Sequence, residues 1–325
     1  MKNIENIKKL IAENEKFLIV SHENPDCDAI GSMIALGVAL ERLGKHVELY
    51  NKDSVPDYLK FLSGSSSITN SLDTIDEDIS VVILLDCAEI SRPGKVFEEF
   101  IKNNGYKLAF IDHHKTNGID SDYIIIDEYV SSTGILIYKL IKELGIEINK
   151  DIAESIFSTI LGDTGSFRYS NTYAETFEIA SELVKKGADP GKISTYIFDE
   201  EPIEKIKLMG LILNTLEVDD SGRVAFLHVD KDMYECTHTK KEHTEGVINY
   251  ARSIMGVEVA ALFKQNHCNG NVEWKISLRS KDYVDVSKIA QEFGGGGHHK
   301  ASGCKIKGSL EYAKSTLYSS IIKSI

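Results

Sequence analysis

The chain has 325 residues, of which 42% are hydrophobic and 27% charged, a composition typical of soluble globular proteins. No apolar run reaches the roughly 18 residues that span a bilayer, and five cysteines without a CxxC pair argue against a disulfide framework or a thiolate zinc site. The net charge of −13 argues against a protein that coats long nucleic acid, because phosphate neutralisation requires clustered lysine and arginine.

The charge is divided unevenly along the chain. From Val218 onward, 12 Lys and 3 Arg stand against 6 Asp and 7 Glu, a net charge of +2, which leaves −15 for residues 1–217. An acidic first part and a mildly basic second part suit a metal-binding domain partnered with a domain that holds an anion. The N-terminal segment is charged and amphipathic and lacks a signal-peptide core, so we expect a cytoplasmic protein.

The first half of the sequence alternates short apolar strands with amphipathic helices, which indicates a mostly parallel α/β sheet with flanking helices. The predicted strands are Phe17–Ser21, Val47–Tyr50, Ser80–Asp86, Leu108–Ile111 and Tyr123–Ile126. The predicted helices are Ala29–Leu43, Arg92–Asn103, Thr133–Leu144, Ile152–Ile160 and Tyr173–Lys186. Such sheets bind ligands at the carboxyl ends of their strands.

The pattern changes after Gly187, and we predict three segments. Residues 1–187 form a catalytic domain, residues 188–222 a mainly helical connector, and residues 223–325 a smaller C-terminal α/β domain, with a cleft between the domains. In the last segment the predicted strands are Val224–Val229, Val257–Phe263 and Val272–Leu278, and the predicted helices are Val286–Phe293 and Leu310–Ile322, with a glycine-rich loop between these two helices.

Acidic and imidazole side chains follow several of the predicted apolar elements of the first domain. They are His22, Asp26 and Asp28 after the first strand, Asp86 after VVILL, Asp112, His113 and His114 after LAFI, and Asp163 after the helix that ends in STILG. Because the carboxyl ends of parallel strands converge, these groups would repel one another unless cations lay between them.

Oxygen and imidazole ligands without thiolates favour Mn²⁺, with Mg²⁺, Co²⁺ or Fe²⁺ as alternatives. Two metals close together need a shared carboxylate, and a strand-end residue such as Asp86 could bridge them. A single aspartate after a strand is more often a turn former or helix N-cap, and this alternative remains open for Asp86 and Asp163 taken singly. The joint pattern favours a two-metal hydrolytic site.

At these residues the chain resembles the DHH phosphoesterase family, which is named after the triplet present here as Asp112, His113 and His114. The motifs SHENPDCDAIGS, VVILLDCAEISRPG, FIDHHKTN and ILGDTGSFRYSNT occur in the family's order, and GGGGHHKASG resembles the signature of the DHH-associated domain. The similarity spans nearly the whole chain. Within the family, it is strongest to oligoribonucleases that are also 3′-phosphoadenosine-5′-phosphate phosphatases.

The resemblance implies a role for each residue that matches a family motif. It implies two Mn²⁺ ions per active site, with Asp86 as the shared ligand. One ion takes His22, Asp26 and Asp86, and the other takes Asp28, Asp86, His113 and Asp163. His114 is then expected near the scissile phosphate as a hydrogen-bond donor or proton carrier, and Asp112 behind His113 as a group that orients it.

The glycine run and its neighbours are the predicted substrate-binding residues of the second domain. Consecutive glycines let backbone amides approach a ligand, and the cationic groups that follow suit a phosphate, although a flexible loop is the simpler interpretation of the run alone. Arg279 could grip a terminal phosphate, with a surface salt bridge as the alternative. The family resemblance favours substrate contacts by Arg279, Ser280, Gly295, Gly296, Gly297, His298, His299 and Lys300. Arg92 and the segment Ser131–Thr133 are weaker candidates for phosphate contact.

The resemblance implies a manganese-dependent phosphoesterase. It would hydrolyse short oligoribonucleotides to mononucleotides and remove the 3′-phosphate of 3′-phosphoadenosine 5′-phosphate by attack of a hydroxide generated between two metals. The alternative is a cyclic di-AMP or linear dinucleotide phosphodiesterase, because family members with the same motifs catalyse that reaction.

Two further classes are disfavoured. An inorganic pyrophosphatase would lack the glycine-histidine signature, and a non-catalytic nucleotide-sensing module would have lost a ligand position, whereas none is lost here. Neither a basic run nor an aromatic stripe is present, so we expect short RNA or small nucleotides as partners, no long nucleic acid and no membrane. The oligomeric state stays open, with a homodimer as one option.

Overall fold

The computed structural model describes residues 4–115, 119, 121–268 and 271–325. The chain divides into two compact units, Met1–Glu200 and Glu201–Ile325. The predicted connector is thus shared between them, with residues 188–200 in the first unit and 201–222 in the second; the domain boundaries at 187 and 223 stay predictions. Within the described residues, no helix combines the length and the apolar character needed to cross a bilayer.

The first unit is a six-stranded parallel sheet flanked by helices. Its strands are β1 (Lys16–Val20), β2 (His46–Tyr50), β3 (Ile68–Thr69), β4 (Val81–Leu85), β5 (Lys107–Asp112) and β6 (Tyr123–Ile126), in the order β3-β2-β1-β4-β5-β6. Its helices are α1 (Ile4–Glu13), α2 (Cys27–Arg42), α3 (Lys95–Asn104), α4 (Thr133–Glu143), α5 (Lys150–Asp163), α6 (Ala174–Lys185) and α7 (Pro190–Ser194).

Successive residues of β1 enter different cores on the two faces of this sheet. Phe17 and Ile19 pack with residues of α1, α2, α4 and α5, whereas Leu18 and Val20 pack with residues of α3. All four side chains are fully buried because helices cover both faces. Strands β2 and β3 lie on one side of β1, and strands β4, β5 and β6 lie on its other side. The direction in which strands are added to the sheet therefore reverses between β1 and β4. Ligand sites of open α/β sheets lie at the carboxyl side of this position.

The second unit contains a mixed sheet with helices. Its strands are β7 (Glu217–Val218), β8 (Val224–Val229), β9 (Val259–Cys268), β10 (Asn271–Ser280), β11 (Gly296–His298) and β12 (Ala301–Lys307), in the order β11-β12-β10-β9-β8-β7. Strands β8 and β9 pair in parallel and the other neighbours are antiparallel. Its helices are α8 (Ile203–Leu213), α9 (Lys231–Thr237), α10 (Ile248–Ser253), α11 (Val286–Glu292) and α12 (Leu310–Ile322).

The predicted α/β class and the parallel first sheet are confirmed. The two-residue strand β3 was not predicted, and two predicted elements that carry site residues differ from the structure. Helix α3 begins at Lys95 rather than Arg92, because Pro93 and Gly94 precede it in a turn and Gly94 has φ +103°. The prediction of a glycine-rich loop is wrong for residues 296–298, which form strand β11 against β12.

Candidate metal and substrate sites

All six predicted metal ligands lie close together in the first unit. Asp26 is the N-cap of α2, where its Oδ1 accepts hydrogen bonds from the backbone N–H groups of Asp28 and Ala29. Asp86 comes directly after β4, His113 directly after β5, and Asp163 is the last residue of α5. The fold therefore collects at one edge of the sheet the groups that follow its strands, as parallel strand topology requires.

Asp86 lies at the centre of the cluster and is 2% exposed. Its Oδ2 is 3.3 Å from His22 Nε2, and its Oδ1 is 3.3 Å from His114 Nδ1 and accepts a hydrogen bond from Thr133 Oγ1 at 3.2 Å. Burial opposes ionisation of this carboxyl, but the hydrogen bonds from His114 and His22 outweigh burial and hold its pKa well below the usual range. Two oxygens with separate imidazole neighbours suit a carboxylate that is shared between two cations.

Asp28 is fully buried and is held by the beginning of α4. Its Oδ2 accepts a hydrogen bond from Thr133 N at 2.7 Å, and its Oδ1 accepts one from Gly134 N at 3.0 Å. Burial and the charge of Asp86 raise the pKa of Asp28 well above its ordinary value. A helix N-terminus favours an anion, so α4 fixes this carboxylate in place while it remains near His113.

His113 has an unpaired buried nitrogen that faces three carboxylates. Its Nε2 lies 3.0 Å from Asp163 Oδ2, 3.6 Å from Asp28 Oδ2 and 3.7 Å from Asp86 Oδ1, yet it forms no hydrogen bond of acceptable geometry within the described residues. Burial disfavours the charged imidazole, but Asp163 and the other two carboxylates outweigh burial and raise the pKa of His113 to about 9. An imidazole nitrogen and carboxylate oxygens that converge without pairing fit a cation bound among them.

Among the described residues, three overlapping groups of donors have ligand atoms within 4.8 Å of one another. They are His22, Asp26 and Asp86; Asp28, His113 and Asp163; and Asp86, His113 and His114. The first group has the residues predicted for one ion, and the second has those predicted for the other ion except Asp86; the role of each residue as a ligand stays a prediction. A fourth group of His46, Glu48 and Asp76 is more exposed, and Lys16 already neutralises Asp76 in an ion pair of 2.6 Å.

Asp112 orients His114, so the expectation that it stands behind His113 is wrong. Its Oδ1 accepts hydrogen bonds from the backbone N–H and from Nδ1 of His114, both at 2.9 Å. Asp112 first and Asp86 second raise the pKa of His114 to about 11. The side chain of His114 is 49% exposed, in contrast to 11% for His113. His114 is consequently the member of the triplet that solvent and ligands can reach.

The segment Ser131–Thr133 supports the site from within the protein and does not offer its hydroxyls to a substrate. All three residues are fully buried. Ser131 Oγ donates to Asn171 O at 2.6 Å, and Asn171 Nδ2 donates to Asp163 O at 3.1 Å, so the loop after Asp163 is tied to the start of α4. The sequence did not predict the roles of Thr133, Gly134 and Asn171. These residues act through backbone N–H groups and a side-chain amide, which are uncharged and leave no recognisable motif.

Arg279 and His298 lie in one row of the second sheet. Arg279 in β10 is opposite Ala301 in β12, and Ala301 is opposite His298 in β11, which places the two side chains on the same face of the sheet. No carboxylate among the described residues forms an ion pair with Arg279. Its guanidinium donates a hydrogen bond to the backbone carbonyl of the preceding residue, Leu278. The alternative of a surface salt bridge is therefore not seen among these residues. Burial and the nearby Arg252 lower the pKa of Arg279 and outweigh the charge of Glu245, so a bound anion would stabilise the charged guanidinium.

The other predicted contacts of the second unit divide into exposed and structural groups. His298, His299 and Lys300 are exposed. Ser280 is fully buried, its backbone N–H donates to Lys300 O at 3.1 Å, and its Oγ has no partner within the described residues. In the first unit, Arg92 is exposed, and its carbonyl accepts a hydrogen bond from Glu23 N that connects the loops after β1 and β4.

Three of the four glycines in the run have structural reasons to be glycine. Gly294 has φ +67° and Gly297 has φ +143°. A Cβ on Gly295 would lie 2.1 Å from Gly303 O, and one on Gly297 would lie 2.6 Å from Ala301 O. Gly296 has no atom within 4 Å of such a Cβ and is exposed, so it is the glycine at which a ligand could approach the backbone.

We expect Gly297→Ala to destabilise the second unit and Gly296→Ala to leave its stability nearly unchanged. The first substitution forces a Cβ into β12 at a positive φ, which costs about 1–3 kcal/mol of unfolding free energy, whereas the second meets open space and should change it by less than about 0.5 kcal/mol. Urea unfolding of the two variants measures the difference. Equal destabilisation would contradict the close packing of β11 on β12.

Comparison with known proteins identifies both units. Residues 16–160 match the DHH family, N-terminal domain, and residues 233–322 match the DHHA1 domain. A Thermus thermophilus protein named bifunctional oligoribonuclease and PAP phosphatase NrnA is 32% identical over 291 residues, which cover 89% of this chain and 84% of that protein.

Two further similarities bear on fold and activity. The crystal structure of an exopolyphosphatase-related protein from Bacteroides fragilis has a TM-score of 0.91 at 28% identity, covering 99% of this chain and 96% of that chain. The cyclic-di-AMP phosphodiesterase GdpP of Bacillus subtilis is 24% identical over 339 residues, covering 95% of this chain but 48% of that protein.

Proposed function

Because the chain belongs to the DHH family and is a phosphoesterase, we propose that it hydrolyses short oligoribonucleotides to mononucleotides and removes the 3′-phosphate of 3′-phosphoadenosine 5′-phosphate. The observation that carries this substrate class is the similarity to the Thermus thermophilus oligoribonuclease and PAP phosphatase, which extends across both units. The clustered carboxylates and imidazoles around Asp86 supply the chemistry that such a reaction needs.

Two divalent cations, Mn²⁺ by preference and Mg²⁺ or Co²⁺ as alternatives, fit the donor set. His22, Asp26 and Asp86 would hold one of them, and Asp28, Asp86, His113 and Asp163 the other. When bound, such cations lower the pKa of water and neutralise charge on a phosphoryl group. The unpaired Nε2 of His113, surrounded by three carboxylates, is the structural observation that supports this assignment.

His114 is the residue that we assign to contact with the reacting phosphate. Asp112 fixes its ring through Nδ1. The second ring nitrogen, Nε2, forms no hydrogen bond or ion pair with the described residues, so it can donate a hydrogen bond to a phosphoryl oxygen and pass its proton to the leaving oxygen. Asp112 acts through His114 as a positioning residue, because a ring held at one nitrogen presents the other in a fixed direction.

Arg279 is the residue that we assign to the terminal phosphate of the substrate. We expect Arg279→Ala to raise KM for a 5′-phosphorylated dinucleotide by about 10-fold or more, since one charge-assisted hydrogen bond contributes about 1.5–3 kcal/mol. Steady-state kinetics on this substrate and on a small chromogenic phosphodiester measure the effect. Lys275→Ala, which removes an exposed cation from the same strand, is the control. An equal loss on both substrates would mean that Arg279 supports structure or chemistry instead of recognition.

A competition assay tests the substrate class. The purified chain with Mn²⁺ is offered a 5′-phosphorylated RNA dinucleotide, 3′-phosphoadenosine 5′-phosphate and cyclic di-AMP together, and chromatography follows the products. We expect the first two to be consumed and the cyclic compound to be spared. Faster loss of cyclic di-AMP would support the second candidate, a cyclic di-AMP or linear dinucleotide phosphodiesterase, which the similarity to GdpP favours.

The net charge of the chain bears on the size of the substrate that we expect. With an overall charge of −13 the protein is suited to short RNA and small nucleotides rather than to long nucleic acid. We place the activity in the cytoplasm and leave a homodimer as a proposal that size-exclusion chromatography with light scattering can test.

A further inference from the structure

A cavity of about 440 Å³ lies at one end of the second sheet. Trp274 of β10, Gln265 of β9, His228 of β8 and Leu310 of α12 line it, together with Asp230, Lys231 and Asp232 at the beginning of α9. Its volume is within the range of about 300–1,000 Å³ that is usual for small-molecule sites. All of these residues belong to the second unit, so the cavity does not depend on the metal-binding residues.

The cavity is separate from the predicted substrate-binding residues. Trp274 and Arg279 both lie on β10, and the odd number of steps between them places their side chains on opposite faces of the sheet. Trp274 packs into the core shared with α12, whereas Arg279 pairs across the sheet with Ala260, which belongs to the core on the other face. A ligand in the cavity would consequently leave Arg279 and His298 free.

Two buried nitrogen atoms beside the cavity have no hydrogen-bond partner within the described residues: Trp274 Nε1 and His228 Nδ1. Trp274 is 4% exposed, and its indole nitrogen can only donate. Burial, followed by Lys314, lowers the pKa of His228, so one nitrogen of the neutral ring is an acceptor. An unpaired polar group in the interior is unfavourable, and a ligand that pairs with both nitrogens would remove that cost.

We propose that this cavity is a second nucleotide site, which holds a nucleobase against Trp274 and His228. A nucleobase edge carries both a donor and an acceptor, as adenine does with N6–H and N7, and these are the partners that the indole N–H of Trp274 and the neutral ring of His228 require. The choice of a nucleoside among planar heterocycles rests on the proposed function. The site itself requires neither metal nor hydrolysis.

The remaining walls suit the same ligand. The two rings stand nearly perpendicular, at 86° with centroids 6.5 Å apart, and Leu310 adds an apolar side chain to the lining. The Oε1 of Gln265 accepts the backbone N–H of Lys231, which leaves the Gln265 amide group to donate to the base. At the rim, the exposed carboxylate of Asp232 can accept hydrogen bonds from ribose hydroxyls.

The test uses Trp274 as its own reporter, because it is the single tryptophan of the chain. Adenosine is titrated into the full-length protein without metal, since it carries no phosphate and cannot be hydrolysed. Indole fluorescence and the single indole N–H cross-peak in ¹H–¹⁵N spectra are recorded. We expect saturable quenching and a saturable shift of that cross-peak. If neither the quenching nor the cross-peak shift occurred up to millimolar adenosine, the proposal would be overturned. This measurement uses the unmodified chain, so it does not depend on the folding of a variant.

Matched variants locate the binding. His228→Phe keeps the ring volume and removes the acceptor, so it should raise the dissociation constant about 10-fold, as for the loss of one buried hydrogen bond. Arg279→Ala should leave the dissociation constant for adenosine unchanged. The reverse pattern would place adenosine at the predicted substrate residues and reject the second site. Hydrolysis is measured separately: His228→Phe should retain it, so failure of adenosine binding and failure of the proposed activity give different results.

Discussion

Asp86→Asn is expected to lower kcat/KM by at least about 10³-fold with every phosphoester substrate. The substitution removes the carboxylate that would be shared between two cations, and loss of about 4 kcal/mol of transition-state stabilisation corresponds to that factor. Asn is the appropriate replacement because Asp86 has φ +56°, a conformation that Asn tolerates and that would add strain with Ala. Initial rates with Mn²⁺ on the dinucleotide and on 3′-phosphoadenosine 5′-phosphate provide the measurement.

Asp76→Asn is the matched control for this variant. Asp76 also stands near a histidine, but it lies in the more exposed group with His46 and Glu48 and is paired with Lys16. Its replacement should leave kcat/KM within a factor of two or so, as expected for a surface site. If Asp86→Asn kept substantial activity with Mn²⁺ while remaining folded by circular dichroism, the shared-ligand role would be refuted.

Removal of divalent cations is expected to abolish turnover and to lower the melting temperature of the first unit. Ions that bind only the folded state at 100 times their dissociation constant stabilise it by about 2.7 kcal/mol, which corresponds to roughly 5–10 °C in a unit of this size. Dialysis against EDTA followed by addition of Mn²⁺ should reverse both effects, as measured by calorimetry and by the hydrolysis assay.

The same titration of Mn²⁺ into Asp86→Asn separates binding from a general salt effect. We expect a clearly smaller rise of the melting temperature in this variant, since one ligand of each site is lost. A rise as large as in the unmodified chain would show that the cations bind elsewhere, and full activity after EDTA treatment would contradict a metal-dependent reaction.

The sequence predicted five of the six strands of the first sheet, all except the two-residue β3, and the grouping of the site, because both depend on local, repeated signals. Apolar runs such as VVILL identify strands. In a parallel sheet the carboxyl ends of the strands share one edge, and this holds for any conformation of the connecting loops. The partner of Asp112 could not be predicted in this way. Its carboxylate bonds His114 rather than His113 because the turn after β5 carries the backbone N–H of His114 to Oδ1, a contact that depends on loop geometry.

The second sheet was harder to predict for a different reason. Strand β11 consists of two glycines and a histidine, so it has no alternation of apolar and polar side chains to detect. Helices α9 and α10 have 7 and 6 residues, which is too short for helical periodicity to repeat. The cavity beside Trp274 arises from residues on three strands and two helices, and no spacing along the chain indicates it.

The hydrogen bonds from Thr133 and Gly134 to Asp28 also bear on how the protein matures during synthesis. The first of these pairs is separated by 105 residues, and Asp163 enters the chain later still. At a translation rate of about 5–20 residues per second, on the order of ten seconds pass between the addition of Asp28 and that of Asp163. During that interval the nascent polypeptide carries His22, Asp26 and Asp28 without α4 and α5. The predicted ligand set of Asp28, Asp86, His113 and Asp163 is therefore complete only after Asp163 has been added, so a cation that needs all four residues would bind late in biogenesis.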